Sequence, residues 1–174
     1  VTDPSALATV DLVGAGSDDA YLQLTLPAAV DYDAWVPTNT AVRVMQAAAD
    51  EDFQVELKFD SVPTQRFQVE GVLVEEDANN FLRADFYSDG NNLFFFIATL
   101  TNGVATVRSD TAVPTAGPLY LRLTRTNDDW VAEYSYDGLS WTPAPGGAFT
   151  YAMNVTAIGP YAGSTGGQAP GFVA

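Results

Sequence analysis

Histidine and cysteine are both absent from the 174 residues, and lysine occurs once, at Lys58. Their absence excludes Ser-His-Asp and Cys-His catalysis, zinc sites of the usual ligand type, disulfides and an imidazole pH switch. A core of this size does not need disulfides, so the lack of cysteine says nothing against export. The longest apolar stretch, Leu93 to Leu100, is far shorter than the roughly 20 residues that span a bilayer, and no membrane insertion is expected. No initiating Met, basic leader or signal-like apolar segment stands at Val1. The expectation is a single domain, residues 1–174, cut from a larger protein.

Positive charge is also scarce. Seven Lys+Arg face 22 Asp+Glu, a formal net charge of −15. Such a surface repels phosphate backbones and anionic headgroups, so nucleic acid is not an expected partner. An acidic, lysine-poor surface stays soluble in salt, where repulsion is screened within roughly 8 Å. That fits an extracellular, saline setting, and equally an acidic secreted domain of no special habitat.

What the chain does have is β pattern. Hydrophobic residues make up 47% and charged residues 17%, the balance of a chain that buries a core. Phe53, Val55, Leu57 and Phe59 alternate with Gln54, Glu56 and Lys58, and Leu119, Leu121 and Leu123 alternate with Tyr120, Arg122 and Thr124. This period of two predicts half-buried strands. Further strands are expected at 20–26, 41–46, 67–75, 80–88, 92–100, 103–108, 129–137 and 154–162. Between them lie turn signals such as Asp89-Gly90, Asn102-Gly103 and Asp137-Gly138. Val44 to Asp52 carries a helical alternative, and Gly163 to Gly171 reads as a loop. Ten or more short strands at this spacing predict an all-β protein, an antiparallel two-sheet β-sandwich or jelly roll.

The run Leu119 to Trp130, continued by Tyr134-Ser-Tyr-Asp-Gly-Leu-Ser-Trp141, resembles the C-terminal half of concanavalin A-like (laminin G-like) jelly rolls. Phe67 to Phe86 resembles the preceding hairpin, and with Val155 to Gly163 the likeness spans residues 53–163. It is nearest to the non-catalytic domains of secreted bacterial glycan-active enzymes and surface proteins. The resemblance implies the fold more strongly than any one activity. Trp130, Tyr134 and Trp141 are expected to stack on the core side of the hairpin. The segment also looks like the Asp-box of sialidase propellers, but it is one residue short and occurs once, whereas a propeller repeats it in each blade.

Carboxylates are the remaining acid–base chemistry. Jelly-roll glucanases place theirs as Glu-x-Asp-x-Glu, which period two puts on one face. No Glu here begins that spacing. Pairs from different strands, such as Glu70 with Asp85, stay open, and no cofactor is required by any motif. The clusters Asp31/Asp33, Asp50 to Asp52, Glu75 to Asn80 and Asn127 to Asp129 lack EF-hand spacing. The resemblance implies a structural calcium in many relatives, with ligands unassigned here.

One surface pattern points to sugar. Leu82, Ala84 and Phe86 form an inward set, leaving Arg83, Asp85 and Tyr87 on the other face. Phe94 and Phe96 alternate with Leu93, Phe95 and Ile97, so that strand is apolar on both sides. Such a strand is covered, or it lines a groove. With Gln68 and Glu70 added, the expected site is Gln68, Glu70, Arg83, Asp85, Tyr87, Phe94 and Phe96: flat rings for C–H faces beside groups that pair with hydroxyls. The competing expectation is a cover formed by residues 28–40. That loop adds Tyr32 and Trp35, as a sugar platform or as a plug for the end of the sandwich. The leading functional expectation is a non-catalytic carbohydrate-binding module, with glycan and neighbouring domains of the parent chain as partners. An adhesion or spacer domain and a carboxylate-based glycan-cleaving enzyme are the alternatives.

Overall fold

The computed structural model describes residues 1–35, 39–166 and 169–174. Fourteen strands make up the described secondary structure: β1 Thr9–Val13, β2 Tyr21–Leu26, β3 Val42–Arg43, β4 Gln46–Ala47, β5 Phe53–Phe59, β6 Gln68–Asp77, β7 Asn80–Ser88, β8 Leu93–Thr101, β9 Val104–Val113, β10 Leu119–Thr126, β11 Asp129–Ser135, β12 Thr142–Thr150, β13 Ala157–Ser164 and β14 Phe172–Val173. One layer is a seven-stranded sheet, β3-β13-β6-β7-β8-β9, with β4 also on β13. A four-stranded sheet, β12-β11-β10-β5, and a three-stranded sheet, β1-β2-β14, complete the architecture. Every paired strand runs antiparallel. The protein is an all-β antiparallel sandwich of the jelly-roll kind.

Alternation decides which side of each strand is buried. Val72, Val74, Leu82, Ala84, Phe86, Leu93, Phe95 and Ile97 face inward from the large sheet. They meet Phe59, Leu119, Leu121, Leu123, Trp130 and Ala132 of the four-stranded sheet. Leu24, Leu26 and Phe172 pack on Val42 and Ala162 of the same inner face, so the two smaller sheets together form the second layer. Trp130 is fully buried, and its Nε1 donates to the Tyr151 carbonyl at 2.9 Å, so burying its polar edge leaves no orphan donor. Arg125 closes one corner of this core, donating to Asp50 at 2.6 Å and to the Asn127 and Met153 carbonyls.

Some expectations change. No helix forms at 44–52. Gln46 and Ala47 instead pair with Ile158 and Ala157 on the β13 edge, and the Asp50 carboxylate accepts the Val155 N–H. Thr142 to Thr150, rich in Pro and Gly, forms a strand beyond the expected ones. It lies at the sheet edge, where a missing N–H is tolerated. Trp141 does not stack on the core side: it packs against the Arg122 guanidinium, 3.8 Å from its ring centroid, and Arg122 alternates with the buried Leu121 and Leu123. Asp137 accepts the N–H groups of Leu139 and Ser140, and Gly138 takes φ +71°, so this hairpin loop closes on its own hydrogen bonds.

Leu121 is fully buried, whereas Leu57, on the facing edge strand, is half-buried. Leu121→Ala should cost about 2–5 kcal/mol in chemical denaturation, and Leu57→Ala clearly less. Equal losses at the two positions would show that the sheet edge is as tightly packed as its centre.

Candidate functional site

The site begins with a glycine. Across the outer face of the large sheet, the face turned away from the second layer, Tyr161, Gly71, Asp85, Phe96 and Asp110 stand in register on β13, β6, β7, β8 and β9. A Cβ at Gly71 would lie 2.4 Å from the Asp85 Cβ and 2.3 Å from the Ala84 carbonyl oxygen. Its absence lets the Tyr161 hydroxyl reach over β6 and donate to Asp85 Oδ2 at 2.6 Å. Such close approach is a recurrent reason for glycine inside a strand.

Asp85 also holds Arg83. The guanidinium donates from Nε to Oδ2 at 2.7 Å and from Nη2 to Oδ1 at 3.0 Å, a bidentate pair in which both residues are buried. Its Nη1 donates to the Ala34 carbonyl at 2.9 Å, which ties the 31–35 segment down over the sheet. The Arg83 guanidinium lies 5.0 Å from the Phe96 ring centroid, 5.7 Å from Tyr161 and 5.8 Å from Trp35. Burial opposes its charge, but Asp85, Tyr161 and Asp33 more than offset this, and it stays protonated at any ordinary pH. Burial likewise pushes the Tyr161 hydroxyl well above its usual range.

Beside this network a pocket of about 400 Å³ opens, within the ordinary range for small-ligand sites. Asp33, Trp35, Phe67, Val69, Arg83, Tyr87, Phe96, Thr165 and Gly166 line it. Its aromatic rings are half-buried and hold one another in place. Trp35 tilts on Phe96 at 5.9 Å, Tyr87 meets Phe96 edge-on at 5.8 Å, and Phe94 stacks on Tyr87 at 4.9 Å. The Tyr87 hydroxyl donates to Asp110 at 2.9 Å; burial, then this contact, raises its pKa. Phe67 sits at φ +63°, a conformation bulky residues rarely adopt. It is held there by its N–H on the Ser88 carbonyl and by the Thr165 N–H on its own carbonyl. Burial raises the Asp33 carboxyl pKa, against the pull of Arg83.

The expected residues therefore divide. Arg83, Asp85, Tyr87, Phe94 and Phe96 share one face, with Arg83 and Asp85 buried beneath the pocket rather than open in it. Gln68 and Glu70 do not join them: with Val72 and Val74 they occupy the opposite face of β6, inside the sandwich. Gln68 accepts the N–H groups of Thr64 and Gln65 and donates to the Gly171 carbonyl. Glu70 bonds Ser61 Oγ through Oε2, while its Oε1 has no partner among the described residues, and burial pushes its pKa up to about 8. Glu70 and Asp85 lie on opposite sides of the sheet and cannot flank one bond. Tyr32 is a plug: it is buried against Leu24 and Leu26, with its hydroxyl 2.7 Å from Ser5 Oγ. Trp35 faces the pocket. Val36 and Pro37 of that loop, and Gly167 and Gln168 of the expected 163–171 loop, lie outside the described residues.

The cover and the groove thus both exist, because the 31–35 segment roofs Arg83 and leaves the rings half open. Gly71, Phe67 and Thr165 were not among the expected site residues, and Asp33 was expected only as part of an acidic cluster; a lone glycine in an apolar strand is the signal that points here. A larger cleft of about 970 Å³ lies between β2 and β5. It is a gap in the second layer, where, among the described residues, β5 pairs with β10 alone and β14 covers only the end of β2. The pocket is the better candidate because buried polar groups and rings converge there.

The acidic clusters have other work. Asp31 accepts the Gly166 N–H and the Thr165 hydroxyl, Asp77 the N–H groups of Asn79 and Asn80, and Asp52 that of Asn127. Among the described residues, no three acidic side chains converge to hold a metal.

Comparison with known proteins adds fold and family. Residues 17–172 match the family described as "Protein of unknown function (DUF1349)". The GH43 protein BlXynB from Bacillus licheniformis superposes with a TM-score of 0.67 at 20% identity, over 86% of this chain and 30% of that one. An engineered GH43 glycoside hydrolase with both endo-xylanase and exo-arabinofuranosidase activity gives 0.68 at 14% identity, over 99% and 35%. A functionally unknown protein from Saccharomyces cerevisiae gives 0.65 at 18%, over 87% and 82%. The chain thus spans about a third of the GH43 proteins it resembles. No curated protein matches the sequence.

Asp85→Ala leaves Arg83 charged and unpaired, and denaturation should show a loss of about 3–5 kcal/mol. A loss below 1 kcal/mol would mean that water reaches Arg83. Glu70 keeps its proton in the folded state up to about pH 8, whereas an unfolded glutamate releases it near pH 4.3. Between those values the folded form binds the extra proton, so stability should fall as pH rises, by about 1.4 kcal/mol per unit at most. Glu70→Gln should flatten that slope. An unchanged slope in the variant would place its origin elsewhere.

Proposed function

As the chain belongs to the DUF1349 family, whose description assigns no activity, we propose from its geometry that it is a non-catalytic carbohydrate-binding domain. The observation that carries this reading is the pocket itself: half-open rings of Trp35, Phe67, Tyr87 and Phe96 beside the Asp33 carboxylate. Flat rings take the C–H face of a sugar, and the carboxylate accepts from hydroxyls. Because the rings are held by one another and by the buried Arg83 network, little ordering entropy opposes binding.

A binding role fits better than hydrolysis. Glycosidases use two carboxyl groups across the scissile bond, and Asp33 is the one acid in the described pocket wall. Asp85 beneath it is occupied by Arg83 and Tyr161. The GH43 structures, in which this fold makes up about a third of the chain, favour a domain that works beside others in a longer protein. They also make xylan-type oligosaccharides the first ligands to try. An extracellular, saline location agrees with the net charge of −15.

The test is titration calorimetry with xylotetraose and a panel of plant and algal oligosaccharides, paired with thermal denaturation. Trp35→Ala and Tyr87→Ala should each remove a stacking contribution on the order of 1–3 kcal/mol. That weakens binding about tenfold or more, with a smaller loss of stability than Leu121→Ala produces. Wild-type binding that both variants retain would move the site elsewhere. No binding across the panel would favour a spacer or adhesion domain.

A further inference from the structure

Every N–H of Arg83 that enters a hydrogen bond here points to Asp85 or to the Ala34 carbonyl, away from a ligand. The Tyr87 hydroxyl donates to Asp110, and the Thr165 hydroxyl and Gly166 N–H donate to Asp31. The hydroxyl and backbone donors of this wall are therefore committed, whereas the Trp35 indole N–H, two Arg83 N–H groups and the rim Arg66 enter no hydrogen bond among the described residues. Beside them stands an unpartnered acceptor: the half-buried Asp33 carboxylate, whose oxygens receive no side-chain or backbone hydrogen bond among the described residues. Around it the charges are mainly negative. Asp31 and Asp85 act on Asp33 directly, against the single buried cation Arg83. Arg66 lies over the Phe67 ring at 4.6 Å, on the exposed rim.

An unpartnered carboxylate set among electron-rich ring faces favours a ligand that brings a donor and positive charge. It selects against a carboxylated or sulfated one, which would meet a like charge. Resting on the carbohydrate reading above, we propose that the preferred ligand is an amino sugar in its ammonium form, with the ammonium on Asp33 and the ring on Trp35 and Phe96. A neutral sugar binds the same rings with a hydroxyl on Asp33, and more weakly, because a charge-assisted hydrogen bond exceeds a neutral one. The long-range field of a chain at −15 also draws any cation, so the test must separate that field from the pocket.

The experiment titrates wild-type protein and Asp33→Asn with four probes: the β-1,4-linked glucosamine tetramer, its fully N-acetylated counterpart, xylotetraose and tetragalacturonate. Asp33 sits on a surface segment, so the variant should keep the wild-type melting temperature to within a few degrees, which checks folding. In wild type the glucosamine tetramer should bind about tenfold or more tighter than the N-acetylated one, and tetragalacturonate weakest. In Asp33→Asn the amine preference should collapse to less than about threefold, while the neutral tetramers change little. Equal affinity of the amine and neutral tetramers in wild type would overturn the proposal and leave the carbohydrate reading intact. An amine preference that survives in Asp33→Asn would assign it to the overall field, and would also overturn it. If no tetramer binds, both readings fall.

Discussion

A fully desolvated ion pair on the outer face of the large sheet is the constraint around which the site is arranged. Removing Arg83 and Asp85 from water costs several kcal/mol per ion before their attraction is counted, and both are buried. The pair is tolerable because four hydrogen bonds serve it: two within the pair, one to the Ala34 carbonyl and one from Tyr161. Each requirement then fixes something else. Tyr161 needs the open lane over Gly71. Ala34 must lie over the sheet, so the 31–35 segment cannot drift. Phe96 and Trp35 flank the guanidinium.

The pocket follows from this arrangement. A segment pinned at Ala34 carries Asp33 and Trp35 to the edge of the cover, next to rings that the sheet register has already aligned. Tyr87 and Phe94 are directly opposed on β7 and β8, as are Asp85 and Phe96 one step along. Cross-strand pairs of this kind stabilise the sheet and present ring faces at the same time. The interior carries a second buried acid, Glu70, without a cationic partner. It marks the seam where the loop after β5 and the C-terminal segment meet behind β6, and neutralising its charge satisfies burial there.

Where alternation was strong on one face, the sequence was enough to assign it. Phe53 to Phe59, Leu119 to Thr124 and Leu82 to Tyr87 place each side chain where the structure has it. In β6, with Val69, Val72, Leu73 and Val74, both faces are apolar and parity carries no signal. Gln68 and Glu70 were therefore assigned to the wrong side, and only the partnership of Gly71 with Asp85 and Tyr161 reveals the register. The Pro- and Gly-rich β12 carries no strand signal in the sequence, because edge position is a tertiary property. Asp33 and Trp35 were legible as a loop with an aromatic, but not as the wall of a pocket. That role depends on a hydrogen bond from Arg83, 49 residues away in sequence.

On the proposed function the outer-face pocket, and not the cleft between β2 and β5, receives a saccharide. Backbone and aromatic chemical-shift mapping of isotope-labelled protein during addition of xylotetraose and the glucosamine tetramer tests it most directly. Shifts should concentrate at Asp33, Trp35, Phe67, Phe96, Thr165 and Gly166, with Leu22, Leu24 and Leu57 unmoved. Shifts concentrated at Leu22, Leu24 and Leu57, or none at either place, would contradict it.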